Sequence, residues 1–144
     1  MIVPDVNLLV YAVQQESAEH ERARRWLDDL MVGDEPVGLA WIVLLGFLRI
    51  TTNARIMTTP WHVREAVALV DVWLTQPIVT VLDPTERHWN ILSQMLTTAG
   101  RGGNLTTDAH LAALCIERGA TLHSADNDFA RFRTLRWVNP LALE

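Results

Sequence analysis

Residues 1–12 read MIVPDVNLLVYA, and this stretch places an acid, Asp5, and an amide, Asn7, inside an apolar run. The run has the pattern of a buried strand that leads directly into a helix. A lone carboxylate in such a position is unfavourable, because burying an unpaired charge costs several kcal/mol even after the protein relaxes. Something else must therefore compensate for the charge of Asp5.

The composition indicates one domain over residues 1–144. The chain is 49% hydrophobic and is long enough to bury a proper core. Its single cysteine, Cys115, excludes an internal disulfide and a zinc cluster of cysteines. The longest apolar run, GLAWIVLLGFL, is too short to span a bilayer, and the N-terminus lacks the pattern of a signal peptide. We therefore expect a cytoplasmic protein that does not associate with membranes.

The charge of the chain restricts its chemistry further. A net charge of −5 argues against binding of nucleic acid by broad basic coverage, although a local basic patch is compatible with it. All 12 basic residues are arginine. Because there is no lysine, a P-loop, a haloacid-dehalogenase-like phosphatase and a response-regulator receiver domain are all disfavoured.

Strands that alternate with helices predict an α/β fold around a parallel sheet. The strand-like runs cover residues 2–5, 37–40, 78–82, 120–123 and 135–138. Predicted helix starts are Ser17, Pro60 and the residues DPTE at 83–86. The predicted helix over about 62–74 is apolar on nearly every face, which favours deep burial or a subunit interface, and hence a homodimer.

A second acid lies in the segment LTTDAHLAALCIERGA, residues 105–120. We expect a helix here, capped by Thr106 or Thr107 and ended by Gly119. On a helical wheel Asp108 shares the buried face, whereas His110 lies on the opposite side and is expected in solvent. An alternative interpretation of Asp108 is a first-turn acid that only complements the helix dipole.

Two further acids, Asp126 and Asp128, follow the short strand ATLH. Like Asp5, they come after the carboxyl end of a strand, where parallel sheets form their binding crevices. We expect Asp5, Asp126 and the start of the Asp108 helix to converge there, with a hard cation neutralising their repulsion. Taken alone, the stretch SADNDF could instead be a turn with an Asp cap.

The ordered set VPDVNLLVYA, LTTDAHLAAL and HSADNDFARF resembles the PIN-domain nucleases, in particular the VapC-like toxins of toxin–antitoxin pairs. The resemblance covers nearly the whole chain and implies a three-layer fold, in which helices flank a central, mostly parallel sheet. It implies a nuclease that hydrolyses RNA phosphodiester bonds with Mg²⁺ or Mn²⁺ and is neutralised by a cognate antitoxin.

The resemblance also implies roles for individual residues. Asp5, Asp108 and Asp126 correspond to catalytic, metal-binding acids, and Asp128 is a candidate fourth ligand. Asn7 corresponds to a residue that supports the first acid, and Ser124 to the small hydroxyl residue before the last acid.

The chain departs from the family pattern in the segment WIVLLGFLRITTN, where Gly46 stands in place of a further acid. If Gly46 faces the crevice, Arg49 lies on the same face and could screen the remaining acids. The alternative function is a catalytically impaired PIN-like module that binds RNA or protein. The arginines considered for phosphate contacts are Arg49, Arg55, Arg101, Arg131, Arg133 and Arg136.

Overall fold

The computed structural model describes residues 1–142 as five strands and six α-helices, with one short 3₁₀ helix. Residues 143 and 144, which the predicted domain includes, lie outside the described residues. The elements are β1 (Ile2–Pro4), α1 (Val6–Val13), α2 (His20–Val32), β2 (Val37–Ala40), α3 (Trp41–Thr51), α4 (Val63–Leu74), β3 (Val79–Leu82), α5 (His88–Ala99), α6 (Leu105–Arg118), β4 (Thr121–His123), the 3₁₀ helix (Asn127–Arg131) and β5 (Arg136–Val138). The strands agree with those predicted from the sequence to within one residue at each end.

The sheet is fully parallel, with the strand order β3-β2-β1-β4-β5. The chain moves outward from β1 to β3 and then crosses back to β4. Because crossover connections are right-handed, this reversal places α5 and α6 on the face opposite α1 to α4. The three-layer α/β architecture is confirmed, and it has its topological switch point between β1 and β4.

Three helix starts lie a few residues from the predicted ones. The helix α2 begins after Glu19 rather than Ser17, α4 after His62 rather than Pro60, and α6 after Asn104 rather than Thr106 or Thr107. A hydrogen-bonded turn precedes α2, in which Ser17 accepts from the backbone N–H groups of Glu19 and His20, and α4 starts at a capping box formed by His62 and Glu65. Gly119 ends α6 as predicted, because its φ of 62° suits glycine.

The residues DPTE at 83–86 do not start a helix; α5 begins only at His88. A tertiary contact explains the difference, since the backbone N–H of Thr85 donates to Glu117 Oε1 over 3.0 Å. Glu117 is buried, and its Oε2 lies 2.9 Å from His88 Nδ1. His88 Nε2 in turn lies 2.9 Å from His110 Nδ1. The prediction that His110 lies in solvent is therefore wrong, because this chain of polar side chains joins α5 to α6.

The helix α4 is only partly covered by its own chain. Ala66, Val70 and Trp73 are buried, whereas Val63, Val67, Val72 and Leu74 remain exposed. Residues 1–142 therefore leave an apolar face of this helix exposed. None of the helices within residues 1–142 is long and apolar enough to cross a membrane.

Gly46 lies where α3 packs against α1. It is buried, and a Cβ atom added to it would lie 3.2 Å from Cγ2 of Val6, which follows Asp5 directly. Arg49 is exposed. Glycine at this position therefore permits the close approach of two helices.

We expect Gly46→Ala to destabilise the fold by about 1 kcal/mol, because crowding against the stiff, β-branched Val6 outweighs the better helix propensity of alanine. In a Val6→Ala background the same substitution should stabilise the fold by about 0.5 to 1 kcal/mol, since only the propensity difference remains. Urea unfolding of the four proteins measures both values. The same sign in both backgrounds would contradict the packing role of Gly46.

Candidate active site

Asp5 lies at the carboxyl end of β1 and is the N-cap of α1. Its Oδ1 accepts a hydrogen bond of 2.7 Å from the backbone N–H of Val6, and its Oδ2 accepts one of 2.7 Å from Ser124 Oγ. Only 9% of the residue is exposed. Burial raises the pKa of Asp5 despite these two hydrogen bonds, and the negative charge of Asp126 raises it further. The carboxylate is thus held in one orientation at a cost in free energy.

Ser124 connects three parts of the site. It is fully buried at the carboxyl end of β4. While its Oγ donates to Asp5, it accepts hydrogen bonds from the backbone N–H of Asp126 at 3.0 Å and from Asn7 Nδ2 at 3.3 Å. The hydroxyl group of Ser124 therefore makes all three of its possible hydrogen bonds, one as donor and two as acceptor, to groups of the candidate active site.

Asn7 supports Asp5 through Ser124. Besides its contact with the hydroxyl group, its Oδ1 accepts a hydrogen bond of 3.4 Å from the backbone N–H of Ala125. The amide therefore joins the first turn of α1 to the segment after β4.

Asp108 lies in the first turn of α6 and is partly buried. Desolvation raises its pKa most, followed by the negative charges of Asp126, Asp5 and Asp128. The positive charge of Arg131 acts in the opposite direction. Acids from three distant segments therefore influence one another electrostatically, as expected of the carboxyl edge of a parallel sheet.

Asp126 and Asp128 begin the 3₁₀ helix after β4. Asp126 caps this helix, and its Oδ1 accepts a hydrogen bond of 2.9 Å from the backbone N–H of Asp128. The side chain of Asp128 is 67% exposed and lies 3.4 Å from Arg131 Nη2. The turn interpretation of this stretch is thus correct locally, and it coexists with the influence of both acids on Asp108.

Arg131, which the sequence offered only as one of six arginines for phosphate contacts, acts directly on an acid of the site. Its spacing of three residues from Asp128 was the available signal. The expectation that Arg49 screens the acids is not supported, because the cation that acts on Asp108 is Arg131. The i, i+3 spacing of Asp128 and Arg131 does not by itself reveal that Arg131 acts on Asp108, since most such pairs are solvated surface contacts.

The site suits a hard divalent cation with several water ligands. Carboxylate oxygens are the donors that Mg²⁺ and Mn²⁺ prefer, and each hydrogen-bonded oxygen of Asp5 retains a lone pair. Within residues 1–142, no three His, Cys, Asp or Glu side chains form a ready-made cage for an ion. Mg²⁺ is commonly bound through one or two carboxylates and waters, so such a cage is not required.

Comparison with known proteins identifies a family. The model of the PIN domain matches residues 2–135. Ribonuclease VapC33 of Mycobacterium tuberculosis (strain H37Rv) is 45% identical over 141 residues, which cover 98% of this chain and 99% of that protein. Ribonuclease VapC37 of the same strain is 43% identical over 143 residues and 99% of both chains.

Solved structures have the same fold at lower sequence identity. Mycobacterium tuberculosis VapC20, described as a sarcin–ricin loop cleaving toxin, superimposes with a TM-score of 0.67 at 20% identity, over 92% of this chain and 95% of that one. VapBC2 from Rickettsia felis, solved with a DNA fragment from its promoter, gives a TM-score of 0.68 at 18% identity, over 96% of this chain and 98% of that one.

We expect Ser124→Ala to destabilise the protein by about 1 to 3 kcal/mol, because it leaves buried polar groups on Asp5 and Asp126 without a partner. The double variant Asp5→Asn/Ser124→Ala should recover part of this loss, because a neutral amide costs less free energy than a carboxylate when it is buried without a hydrogen-bond partner. Ser93→Ala, which removes a hydroxyl group bonded only within α5, is the control and should change stability by less than about 0.5 kcal/mol. Urea unfolding decides; equal losses for the two serines would show that Ser124 does not organise the site.

We expect Asp108→Asn to raise the melting temperature by roughly 1 to 3 °C at pH 7 in EDTA, because it removes repulsion from three neighbouring acids. The native pKa of Asp108 is raised, so its ionisation destabilises the fold above that pKa. The gain should therefore shrink as the pH falls towards the ordinary aspartate value of 3.8. Asp71→Asn on the exposed side of α4 is the control. A lower melting temperature for Asp108→Asn would mean that the carboxylate is stabilising.

Proposed function

This chain belongs to the PIN-domain family and, within it, to the VapC ribonucleases, and from that premise we propose that it is a divalent-metal-dependent endoribonuclease toxin with a cognate antitoxin. The observation that carries the proposal is the convergence of acids from three distant segments: Ser124 bonds both the Asp5 carboxylate and the backbone N–H of Asp126, and the charges of Asp5 and Asp126 raise the pKa of Asp108. A surface made only for protein contacts has no need to bring such acids together, because they repel one another.

We assign metal binding to Asp5, Asp108 and Asp126, with Asp128 as a more exposed fourth ligand. When bound, Mg²⁺ or Mn²⁺ lowers the pKa of a water molecule and stabilises charge that develops on the phosphoryl oxygens. Asp5 offers a carboxylate in a fixed orientation, because Val6 and Ser124 each donate to one of its oxygens. Preorganisation of this kind avoids rearrangement at the moment of reaction.

Asn7, Ser124 and Arg131 have supporting roles in the proposed mechanism. Asn7 and Ser124 hold the start of α1 against the segment after β4, so that Asp5 and Asp126 keep their separation. Arg131 carries positive charge beside the acids, where it can bind a phosphate oxygen of RNA while the carboxylates face the scissile bond.

The proposed partners follow from the family and from the surface. VapC relatives are named ribonucleases, and several structural neighbours are VapBC complexes, which supports an RNA substrate and an antitoxin. The exposed apolar residues of α4 support a homodimer or an antitoxin contact. An RNA substrate and an antitoxin both imply that the protein acts in the cytoplasm.

A catalytically impaired PIN-like binding module is the second candidate, and Gly46 is the observation that favours it. Gly46, which the family resemblance places where an acid is usual, packs against Val6, so this position supplies no ligand. The two candidates differ in metal affinity, because an impaired module has no use for a cation among its acids.

We expect millimolar Mn²⁺ or Mg²⁺ to raise the melting temperature of the parent and to change that of Asp108→Asn much less. Binding to the native state stabilises it by RT ln(1 + [L]/Kd), which is about 2.7 kcal/mol at 100 times Kd. The parent should cleave single-stranded RNA with either ion and lose this activity in EDTA. Asp108→Asn should lose at least about a hundredfold in rate, whereas Asp71→Asn should retain activity.

Two results would contradict the proposed function. One is an equal thermal shift in the parent and Asp108→Asn, which would place the cation elsewhere. The other is RNA cleavage that persists in Asp108→Asn, which would point to a contaminating nuclease.

A further inference from the structure

We propose that a cleft beside the acids binds an unpaired nucleotide of the RNA, next to the phosphodiester bond that is cut; this inference rests on the proposed function. The cleft has a volume of about 880 Å³ and lies between α5, the start of α6 and residues 131–134. Ligand-binding clefts typically have volumes of about 300 to 1,000 Å³, so a nucleotide fits.

The walls of the cleft are largely apolar. Ile91 and Met95 project from α5, Leu105 and Ile116 from α6, and Phe132 from the segment after the 3₁₀ helix. An apolar wall of this kind favours van der Waals contact with the flat face of a base that has left its stack; the one aromatic ring among the lining residues, Phe132, is largely buried and supports the wall from behind.

Three arginines, Arg101, Arg131 and Arg133, lie at the same cleft, and none of its lining residues is acidic. Within residues 1–142, neither Arg101 nor Arg133 forms an ion pair with a carboxylate. A chain with a net charge of −5 thus concentrates uncompensated positive charge at one apolar cleft. Arginine suits this position because it binds phosphate with two N–H groups and stacks on bases with its planar face.

The cleft lies close to the acids, although none of them lines it. Arg131 lines it and also acts on Asp108, while Leu105 precedes Asp108 by three residues on α6. Three helical residues span about 4.5 Å along the axis, less than one turn. A strand whose phosphate lies over the acids therefore carries its neighbouring base to the mouth of the cleft.

Charge alone would also attract an acidic peptide, such as a segment of an antitoxin. The observations favour RNA, because the positive charge is placed beside the site of phosphodiester cleavage rather than on a separate face. Gln94, Thr98 and Thr134 at the cleft add amide and hydroxyl groups that can bond the edges of a base.

The test measures binding of single-stranded RNA hexamers to the full-length protein in EDTA, where cleavage is prevented. Fluorescence anisotropy gives Kd as a function of salt for the parent, for the variants Arg101→Ala, Arg133→Ala and the double variant Arg101→Ala/Arg133→Ala, and for Arg25→Ala on the exposed side of α2 as the control for the single variants. The double variant should bind about tenfold more weakly, and its salt slope should fall by about 0.7 for each lost phosphate contact. The control should match the parent.

Photocrosslinking locates the base. A hexamer that contains 4-thiouridine should crosslink to the parent within residues 91–99 or 131–134, as peptide mapping by mass spectrometry will show. Equal Kd values for the double variant and the control, or crosslinks confined to other segments, would overturn the proposal. Unchanged RNA affinity with a changed oligomer mass or a lost antitoxin contact would also overturn it, and would assign the cleft to a protein partner.

The two proposals fail in different ways. If the parent cleaves no RNA with Mn²⁺, the proposed function is wrong. If the parent cleaves RNA and the double variant binds and cleaves it equally well, only the nucleotide cleft is wrong.

Discussion

The hydrogen bond from Ser124 to Asp5 is the contact on which the candidate site depends. It joins residues 119 positions apart in the sequence, at the carboxyl ends of β1 and β4. The parallel pairing of these strands sets its geometry, and the backbone N–H of Asp5 extends that pairing to the carbonyl of His123 over 2.8 Å. Because each partner is buried, neither could be satisfied by bulk water once the strands have paired.

The acids make the site less stable than the surrounding core. Burial and the charges of neighbouring acids raise the pKa values of Asp5 and Asp108, so ionisation of these groups costs more free energy in the folded protein than in an unfolded chain. The core that offsets this cost packs directly beneath, with Val3, Leu8 and Leu122 fully buried on the central elements. A binding site for a cation is often built in this way, with stability sacrificed locally for function.

The helix α6 divides its surroundings into three environments. One side presents Asp108 to the other acids, another side lines the apolar cleft with Leu105 and Ile116, and a third holds Glu117 against His88. A helix can serve three neighbours because successive residues are rotated by about 100°. The buried polar chain also fixes α5, which forms the opposite wall of the cleft.

The sequence by itself determined the strands, the parallel α/β class and the positions of the acids, because apolar periodicity and strand ends are local patterns. It also carried the family resemblance, through three short motifs in order. Only the tertiary structure decided that Glu117 is buried against His88, that Gly46 packs on Val6 and that Arg131 is the cation beside Asp108. These features depend on contacts between residues far apart in the chain, and a helical wheel or a capping motif contains no information about the element that packs opposite.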